Sequence, residues 1–203
     1  MYLCYNKGKR GNKMRVNVKF WVFLFVLVIF GSLSVNAQQN TTGLSAILDH
    51  YAARNFTAGS IPEADLNSII QAGIRAPSAM NRQPWHITVV QNIDLARKII
   101  SGVESGNVLI VVSTQVDVNG SHVFDCGLAV QSIYLAAQTL GYGSRIYTGP
   151  ISDLNRKYKT ELSLPNKYNA VALVRVGKIK EPAPDAVSAA SPRKKTSDLV
   201  TFK

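Results

Sequence analysis

The 203-residue chain has few cysteines and histidines, and what it lacks excludes several kinds of chemistry. Of its two cysteines, Cys4 falls in a segment that we expect to be removed, so Cys126 has no partner for an intrachain disulfide. We interpret Cys126 as a small buried residue of an apolar helix. The three histidines are scattered, and no zinc spacing, nucleophile elbow, Walker loop or Rossmann glycine pattern is present. A hydrolase or a metalloenzyme therefore has little support.

Acidic residues are absent from the start of the chain, and this makes the formal net charge of +11 misleading. Six of the 23 basic residues lie within residues 1–19, where there is no acid. The rest of the chain has 17 basic and 12 acidic residues, and the resulting net charge of +5 is ordinary for a globular domain. No basic stripe with interleaved aromatic residues is present, so nucleic-acid binding is not expected.

The N-terminal segment has the order of a secretory signal peptide. Its basic residues precede the unbroken apolar run Phe20–Phe30, and small residues follow as far as Ala37. We predict a signal peptide over residues 1–37, cleaved near Ala37, and a periplasmic or extracellular protein. An uncleaved membrane anchor is the alternative, although the 16 residues Phe20–Val35 are fewer than the roughly 20 that span a bilayer. Met14 is an alternative start.

The remainder, residues 38–203, is predicted to form one domain whose last part, 183–203, is a C-terminal extension. Hydrophobic spacing predicts helices over 43–53, 62–76, 94–103, 124–140 and 152–162, and strands over 86–91, 108–113, 145–147 and 170–176. Residues 56–60 read as a polar connection. Because helices and strands mix without regular βαβ alternation, we predict the α+β class.

The segment Ala76–Trp85, of sequence APSAMNRQPW, is the most informative part of the chain. It lies between a predicted helix and a predicted strand, and Pro77 favours an end to the helix at Ala76. Prolines make this corner stiff, while its hydroxyl, amide and backbone groups can form hydrogen bonds. It offers neither a metal ligand nor a general base, which suits an organic cofactor whose own ring does the chemistry.

This corner resembles the APSxxNxQPW segment of the FMN-dependent nitroreductase family. Asp125–Ala129 with Leu140–Ser144 is similar to that family's central helix and following glycine turn, and Arg54–Phe56 resembles the end of its basic opening motif. Arg193–Lys195 with Asp198–Val200 resembles its C-terminal basic signature more weakly. The resemblance covers about residues 44–200.

The resemblance implies a nitroreductase-like α+β fold, with a central and mostly antiparallel sheet flanked by helices. It implies an intertwined homodimer with FMN at the subunit interface, and NAD(P)H as a possible electron donor. The acceptor would be a nitroaromatic, a quinone or a similar small molecule. No side-chain catalytic residue and no metal are expected, since hydride transfer occurs on the flavin ring. The implied cofactor-binding residues are Arg54, Pro77, Ser78, Ala79, Asn81, Gln83, Thr148, Gly149, Arg193 and Lys195.

The sequence departs from the family at the phosphate end of the implied site. His50, Tyr51 and Ala52 stand where the family's opening motif usually has Arg, a polar residue and Ser. Two contacts to the FMN phosphate are therefore in doubt, although a charged His50 could replace one. The chain is also short between Gln91 and Phe124, where larger members carry helices that cover the active site. A non-catalytic flavin- or ligand-binding protein on the same fold is the alternative.

Overall fold

The structure is a computed structural model that describes residues 43–115, 120–180 and 193–203. The chain divides into two compact units, Met1–Gly43 and Leu44–Lys203, and the description that follows concerns the second. The predicted signal peptide and residues 183–192 of the predicted C-terminal extension lie outside the described residues.

Five helices and five strands are described in this unit, in an order that mixes the two. The helices are α1 (43–48), α2 (Glu63–Ile74), α3 (Ile93–Ile99), α4 (Ser121–Thr139) and α5 (Ile151–Lys157). The strands are β1 (Phe56–Thr57), β2 (Trp85–Val90), β3 (Val108–Thr114), β4 (Gly143–Tyr147) and β5 (Asn169–Ile179). Single 3-10 turns cover Ala79–Asn81 and Thr196–Asp198.

The strands form one sheet in which every pairing is antiparallel, and β5 is its hub. The order is β1-β5-β3-β2, and β4 also pairs with β5. Strand β3 is buried along its whole length and pairs with β2 and β5. The α+β fold with a central antiparallel sheet, expected from the sequence, is confirmed.

Alternate residues of β3 and β5 supply two hydrophobic cores on opposite faces of the sheet, as the two-residue period of a strand requires. Ile110 and Val174 pack on one face against α2 and α4, which contribute Ile69 and Ile133. Leu109, Val111 and Leu173 pack on the other face with Ala96 of α3 and Leu154 of α5. The molecule therefore has three layers, with the sheet in the middle.

Several element bounds predicted from the sequence are wrong: α4 begins at Ser121 and β5 continues to Ile179, each three residues beyond the predicted bound, and other elements differ more. Helix α1 stops at residue 48 because the following chain becomes extended, with the Ala53 N–H donating to the Ser144 carbonyl at 3.0 Å. Helix α3 ends at Ile99 and α5 at Lys157, each several residues earlier than predicted. Within the supposed connection 56–60, Phe56 and Thr57 form a short strand paired with Ile179 and Lys178.

Candidate functional site

The corner between α2 and β2 has an irregular backbone that its sequence explains only in part. Helix α2 ends at Ile74, and the Ala76 N–H still donates to the Gly73 carbonyl at 3.2 Å before Pro77. A 3-10 turn follows, in which the Asn81 N–H donates to the Ser78 carbonyl at 3.0 Å. Three residues then hold left-handed conformations without being glycine: Met80 (φ 52°), Asn81 (φ 54°) and Gln83 (φ 48°). Each costs of order 1–3 kcal/mol unless its surroundings hold it in place.

Contacts from two other elements hold this corner. The buried carboxylate of Asp125, on α4, accepts the Ala79 N–H with both oxygens at 3.2 Å. The Gln83 N–H donates to the Ser78 hydroxyl at 3.0 Å, which closes the turn on itself. The Thr114 hydroxyl, at the end of β3, donates to the Pro84 carbonyl at 2.8 Å. The turn is thus fixed to the sheet and to α4, which favours preorganised binding.

The polar groups of the corner remain accessible. Pro77, Ala79, Asn81 and Gln83 are exposed, and Ser78 is half-buried. The Gln83 amide donates to the Asn81 side-chain oxygen at 3.1 Å, so the two amides orient each other. The structure therefore brings five of the predicted cofactor-binding residues into one exposed turn.

Thr148 and Gly149 directly follow β4 and are exposed. A Cβ added to Gly149 would meet no atom within 4 Å, so the space beside this backbone is open. A flat ring could approach the chain closely at this point.

The segment that departs from the family's opening motif is tied to α4. The His50 ring meets the Tyr134 ring edge-on at 5.4 Å, and its Nδ1 lies 2.6 Å from the Ile47 carbonyl oxygen. The Gln138 side chain accepts the Tyr51 N–H at 3.3 Å and donates to the Tyr51 carbonyl at 3.1 Å. The Tyr51 backbone is therefore already hydrogen-bonded at the position where the family has a polar side chain.

Arg193 acts electrostatically on Tyr134, a residue of α4. Burial raises the pKa of Tyr134, whereas a hydrogen bond with Gln138 and the charge of Arg193 lower it in part. The His50 ring contacts the same tyrosine, and we take Arg193 and His50 as the candidate phosphate end of the site. Lys195 is exposed and precedes the 3-10 turn Thr196–Asp198, with its carbonyl accepting the Asp198 N–H at 3.0 Å.

Arg54, the basic residue kept from the opening motif, is exposed. It lines a cavity of about 370 Å³ between β1, β5 and the loop after α3, and neither Arg193 nor any residue of the corner lines that cavity. The residues that line it are Arg54, Asn55, Phe56, Thr57, Gly102, Glu104, Arg175 and Lys180.

Sequence reasoning missed the functional importance of Asp125 and Arg175. Each had one usable signal, a charged residue in an otherwise apolar element. The interpretation of Cys126 agrees with the structure, where it is fully buried and burial raises its pKa to about 11. A thiol in that state is a poor nucleophile at neutral pH.

Two kinds of feature are absent from the described residues. No group of three or more His, Cys, Asp or Glu residues is placed to hold a metal ion. No helix in the described ranges is long and apolar enough to cross a bilayer.

Comparisons with known proteins connect this geometry to one family. The sequence model described as Nitroreductase family matches residues 47–108 and 101–178. A protein of Methanothermobacter thermautotrophicus with the provisional name NADH dehydrogenase/NAD(P)H nitroreductase is 30% identical over 145 residues, which cover 66% of this chain and 75% of the relative. A protein of Archaeoglobus fulgidus with the same provisional name is 28% identical over 150 residues, covering 68% and 86%.

Solved structures show the same fold. A nitroreductase with bound FMN from Desulfitobacterium hafniense is 25% identical and superimposes with a TM-score of 0.66, covering 80% of this chain and 98% of that one. A nitroreductase with bound FMN from Bacteroides fragilis, 24% identical with a TM-score of 0.65, covers 79% and 97% and supports the fold alone. These matches confirm the family predicted from the corner, the central helix and the basic motifs: the chain belongs to the nitroreductase family.

Proposed function

We propose that this protein is an exported, FMN-dependent oxidoreductase that reduces nitroaromatic, quinone or similar small acceptors. The observation that carries the proposal is the corner 77–83, where three strained residues hold exposed amide groups and a buried carboxylate holds the backbone. Strain of this kind is retained where surrounding structure maintains it, often at ligand sites. Family membership and the FMN-bound relative from Desulfitobacterium hafniense support FMN as the ligand.

The residues present fit a flavin. Asn81 and Gln83 supply amide donors and acceptors for ring nitrogen and carbonyl groups, and Ala79 adds a small, exposed side chain between them and α2. Thr148 and Gly149 offer an open surface for the other side of the ring. When bound, FMN supplies the hydride and electron transfer, so this chain's own residues bind, orient and tune the ring.

Asp125 has a positioning role in this proposal. By accepting the Ala79 N–H it fixes the turn before the ligand arrives, which lowers the ordering cost of binding. It does not face the reacting atoms and is assigned no acid or base function. We assign no catalytic side chain.

The phosphate end is the weaker part of the site. Arg193 is the proposed phosphate ligand, because Arg forms charge-assisted hydrogen bonds with such a dianion. A charged His50 would add a second cation beside Arg193. Lys195 and Arg54 are the other cationic residues in the predicted cofactor-binding set. Ala52 cannot provide the hydroxyl that the family has at this position.

We further propose that the protein acts as a homodimer outside the cytoplasmic membrane. Residues 1–37 would direct export and be cleaved near Ala37. N-terminal sequencing of the secreted protein should then give Gln38 as the first residue; an intact N-terminus would favour a membrane anchor. NAD(P)H is the donor suggested by the relatives' names, although nicotinamide cofactors are not expected to be abundant in that compartment.

The flavin proposal is tested by a visible spectrum and an FMN titration of the purified mature protein. We expect a yellow protein, or one that binds added FMN stoichiometrically. Ala79→Glu should abolish binding by placing a charged side chain against the ring, while the exposed Thr160→Glu should leave binding intact. A folded protein that neither contains nor binds FMN would overturn the proposal.

A non-catalytic binding protein is the second candidate, favoured by the loss of polar side chains at the opening motif. Anaerobic photoreduction of the bound flavin, followed by mixing with a quinone, a nitroaromatic or oxygen, separates the two functions. Catalysis predicts that the acceptor re-oxidises the bound flavin faster than oxygen does. Flavin that is re-oxidised only by oxygen would favour the binding protein.

A further inference from the structure

The cavity beside β1 and the C-terminal end of β5 is a strongly cationic pocket that the flavin proposal leaves unexplained. Arg54, Arg175 and Lys180 line it together with one carboxylate, that of Glu104. Its volume of about 370 Å³ lies within the range of small-molecule sites. The lining residues therefore carry an excess of two positive charges.

The wall of this pocket is held in place by several hydrogen bonds. The Asn107 amide donates to the Thr57 carbonyl at 2.9 Å, and the Gly59 N–H donates to the Ser105 carbonyl at 2.9 Å. Gly177 leaves room for Asn107, because a Cβ there would lie 2.5 Å from the Asn107 amide. The loop 102–107 is thus fixed against β1 and β5.

Arg175 forms the floor of the pocket and is 6% exposed. Its Nε and Nη2 donate to the Asn107 side-chain oxygen at 3.0 and 2.8 Å, and Nη2 also donates to the Gly102 carbonyl at 3.0 Å. Its guanidinium stacks on the Phe56 ring, with 4.1 Å between the guanidinium carbon and the ring centroid. These contacts orient the group rigidly.

The oxygen atoms that accept hydrogen bonds from Arg175 all belong to neutral groups, so its buried charge lacks a close counter-ion. Among the described residues no carboxylate oxygen lies within 4 Å of its nitrogen atoms. Burial lowers the pKa of the guanidinium, although Tyr147 and Glu104 offset part of this effect. A buried charge without a partner is costly, and an anion bound above it would remove that cost.

We propose that this pocket is a phosphate-binding site in which Arg175, Arg54 and Lys180 bind the phosphate group of a ligand. A phosphate monoester carries a charge of about −1.5 to −2 at neutral pH and so matches the charge excess of the pocket. The guanidinium of Arg175 is fixed on an aromatic ring, and its Nη1, which makes none of the hydrogen bonds given above, is left to donate to such an oxyanion. We assign this phosphate to a ligand other than FMN, because Arg193 is the proposed contact of the FMN phosphate and does not line the pocket. An FMN phosphate bound here would overturn this assignment and replace Arg193 in the proposed function.

The first test measures inorganic pyrophosphate binding to the mature protein by calorimetry. Arg54→Gln and Lys180→Gln should each weaken binding about five- to tenfold, because each removes a charge-assisted contact near the surface. Glu104→Gln should tighten binding several-fold by removing the one repelling charge. Lys167→Gln, at an exposed lysine outside the pocket, is the control. Equal affinity in all five proteins would overturn the proposal.

The second test identifies the source of the phosphate. If it belongs to FMN, Arg54→Gln and Lys180→Gln should weaken FMN binding and leave riboflavin binding unchanged. If it belongs to a second ligand, the FMN-to-riboflavin ratio should stay at its wild-type value while the FMN-loaded protein still binds pyrophosphate. Normal FMN binding with no pyrophosphate response in either form would defeat the pocket proposal and leave the flavin proposal intact.

Discussion

Asp125 is a carboxylate 2% exposed to solvent, in a helix whose inward face is otherwise apolar. Its partner is a backbone N–H in a turn 46 residues earlier in the chain, at Ala79. A charged acceptor binds a backbone N–H more strongly than a neutral one, so this contact can stabilise an irregular turn that has no ladder of its own. One side chain thus couples the central helix to the cofactor-binding corner.

We predict that Asp125→Ala lowers the free energy of unfolding by about 1.5–3 kcal/mol and weakens FMN binding at least tenfold. In this variant the Ala79 N–H has lost its acceptor, so the turn can depart from the conformation that binds FMN. Chemical denaturation and FMN titration measure the two effects. Glu161→Ala, which removes an exposed ion pair of 3.6 Å with Lys98, should change stability by less than about 1 kcal/mol. Unchanged flavin affinity in folded Asp125→Ala would contradict the positioning role.

Tyr142 gives a prediction about alkaline stability. Its hydroxyl donates to Asp65 at 2.6 Å, and this hydrogen bond, together with burial, raises the pKa of Tyr142 from 10.0 to about 12. The folded state therefore holds this proton between pH 10 and about 12, where the unfolded state releases it. The resulting stabilisation is complete below pH 10 and is lost as the pH rises to about 12.

Tyr142→Phe should accordingly be less stable than wild type by about 1–2 kcal/mol at pH 8. Its stability should also fall less steeply above pH 10. Denaturant midpoints measured from pH 8 to 11.5 give both quantities. The control is Tyr168→Phe, whose hydroxyl makes no hydrogen bond to the described residues. Parallel pH profiles for Tyr142→Phe and wild type would show that the Asp65 contact does not retain the proton.

At the scale of elements, the loop 102–107 depends on a close approach of two backbones. Gly106 has φ +81°, and a Cβ added to it would lie 2.5 Å from the Gly59 carbonyl. We predict that Gly106→Ala costs more than about 3 kcal/mol, since strain and a backbone clash add, and that pyrophosphate binding is lost. Gly102→Ala, with φ +73° and no atom within 4 Å, should cost only the strain, about 1 kcal/mol. Thermal unfolding of the two variants tests this difference.

Local pattern predicted most of these elements, and long-range contacts decided the rest. Helix α2 was predicted well because its start at Pro62 and its end before Pro77 are local signals. Helix α1 was overestimated, because Tyr51 and Ala53 bond to residues about 90 positions away. The corner was predicted as a turn, but neither its left-handed residues nor its anchor could be derived locally. The role proposed for Arg175 could not be predicted, because it depends on contacts with Asn107 and Phe56 that only the fold creates.

At the scale of the whole molecule, α4 has two different faces. Its inward face is buried against the sheet and α2, through residues such as Ala129 and Ile133. Its outward face leaves Phe124 69% and Val123 40% exposed, and Gly127 is open on the same side. The sequence predicted that this helix packs in a core or against a second subunit. The inward face does pack in the core. We propose the exposed apolar face as the surface of the proposed homodimer.

We predict that Phe124→Asp raises the dimer dissociation constant at least about thirtyfold, the effect of losing one central aromatic anchor. The substitution places a charge where the proposed interface needs an apolar side chain, and Phe124 is too exposed in the single chain for the fold to depend on it. Sedimentation velocity across a concentration series measures the change, with Gln91→Asp as the control that adds the same charge away from α4. Because the proposed FMN sites lie between subunits, the monomeric variant should also lose flavin on gel filtration. A wild-type protein that is monomeric at all concentrations would overturn the proposed dimer, and a variant that remains dimeric would place the subunit contact on another surface.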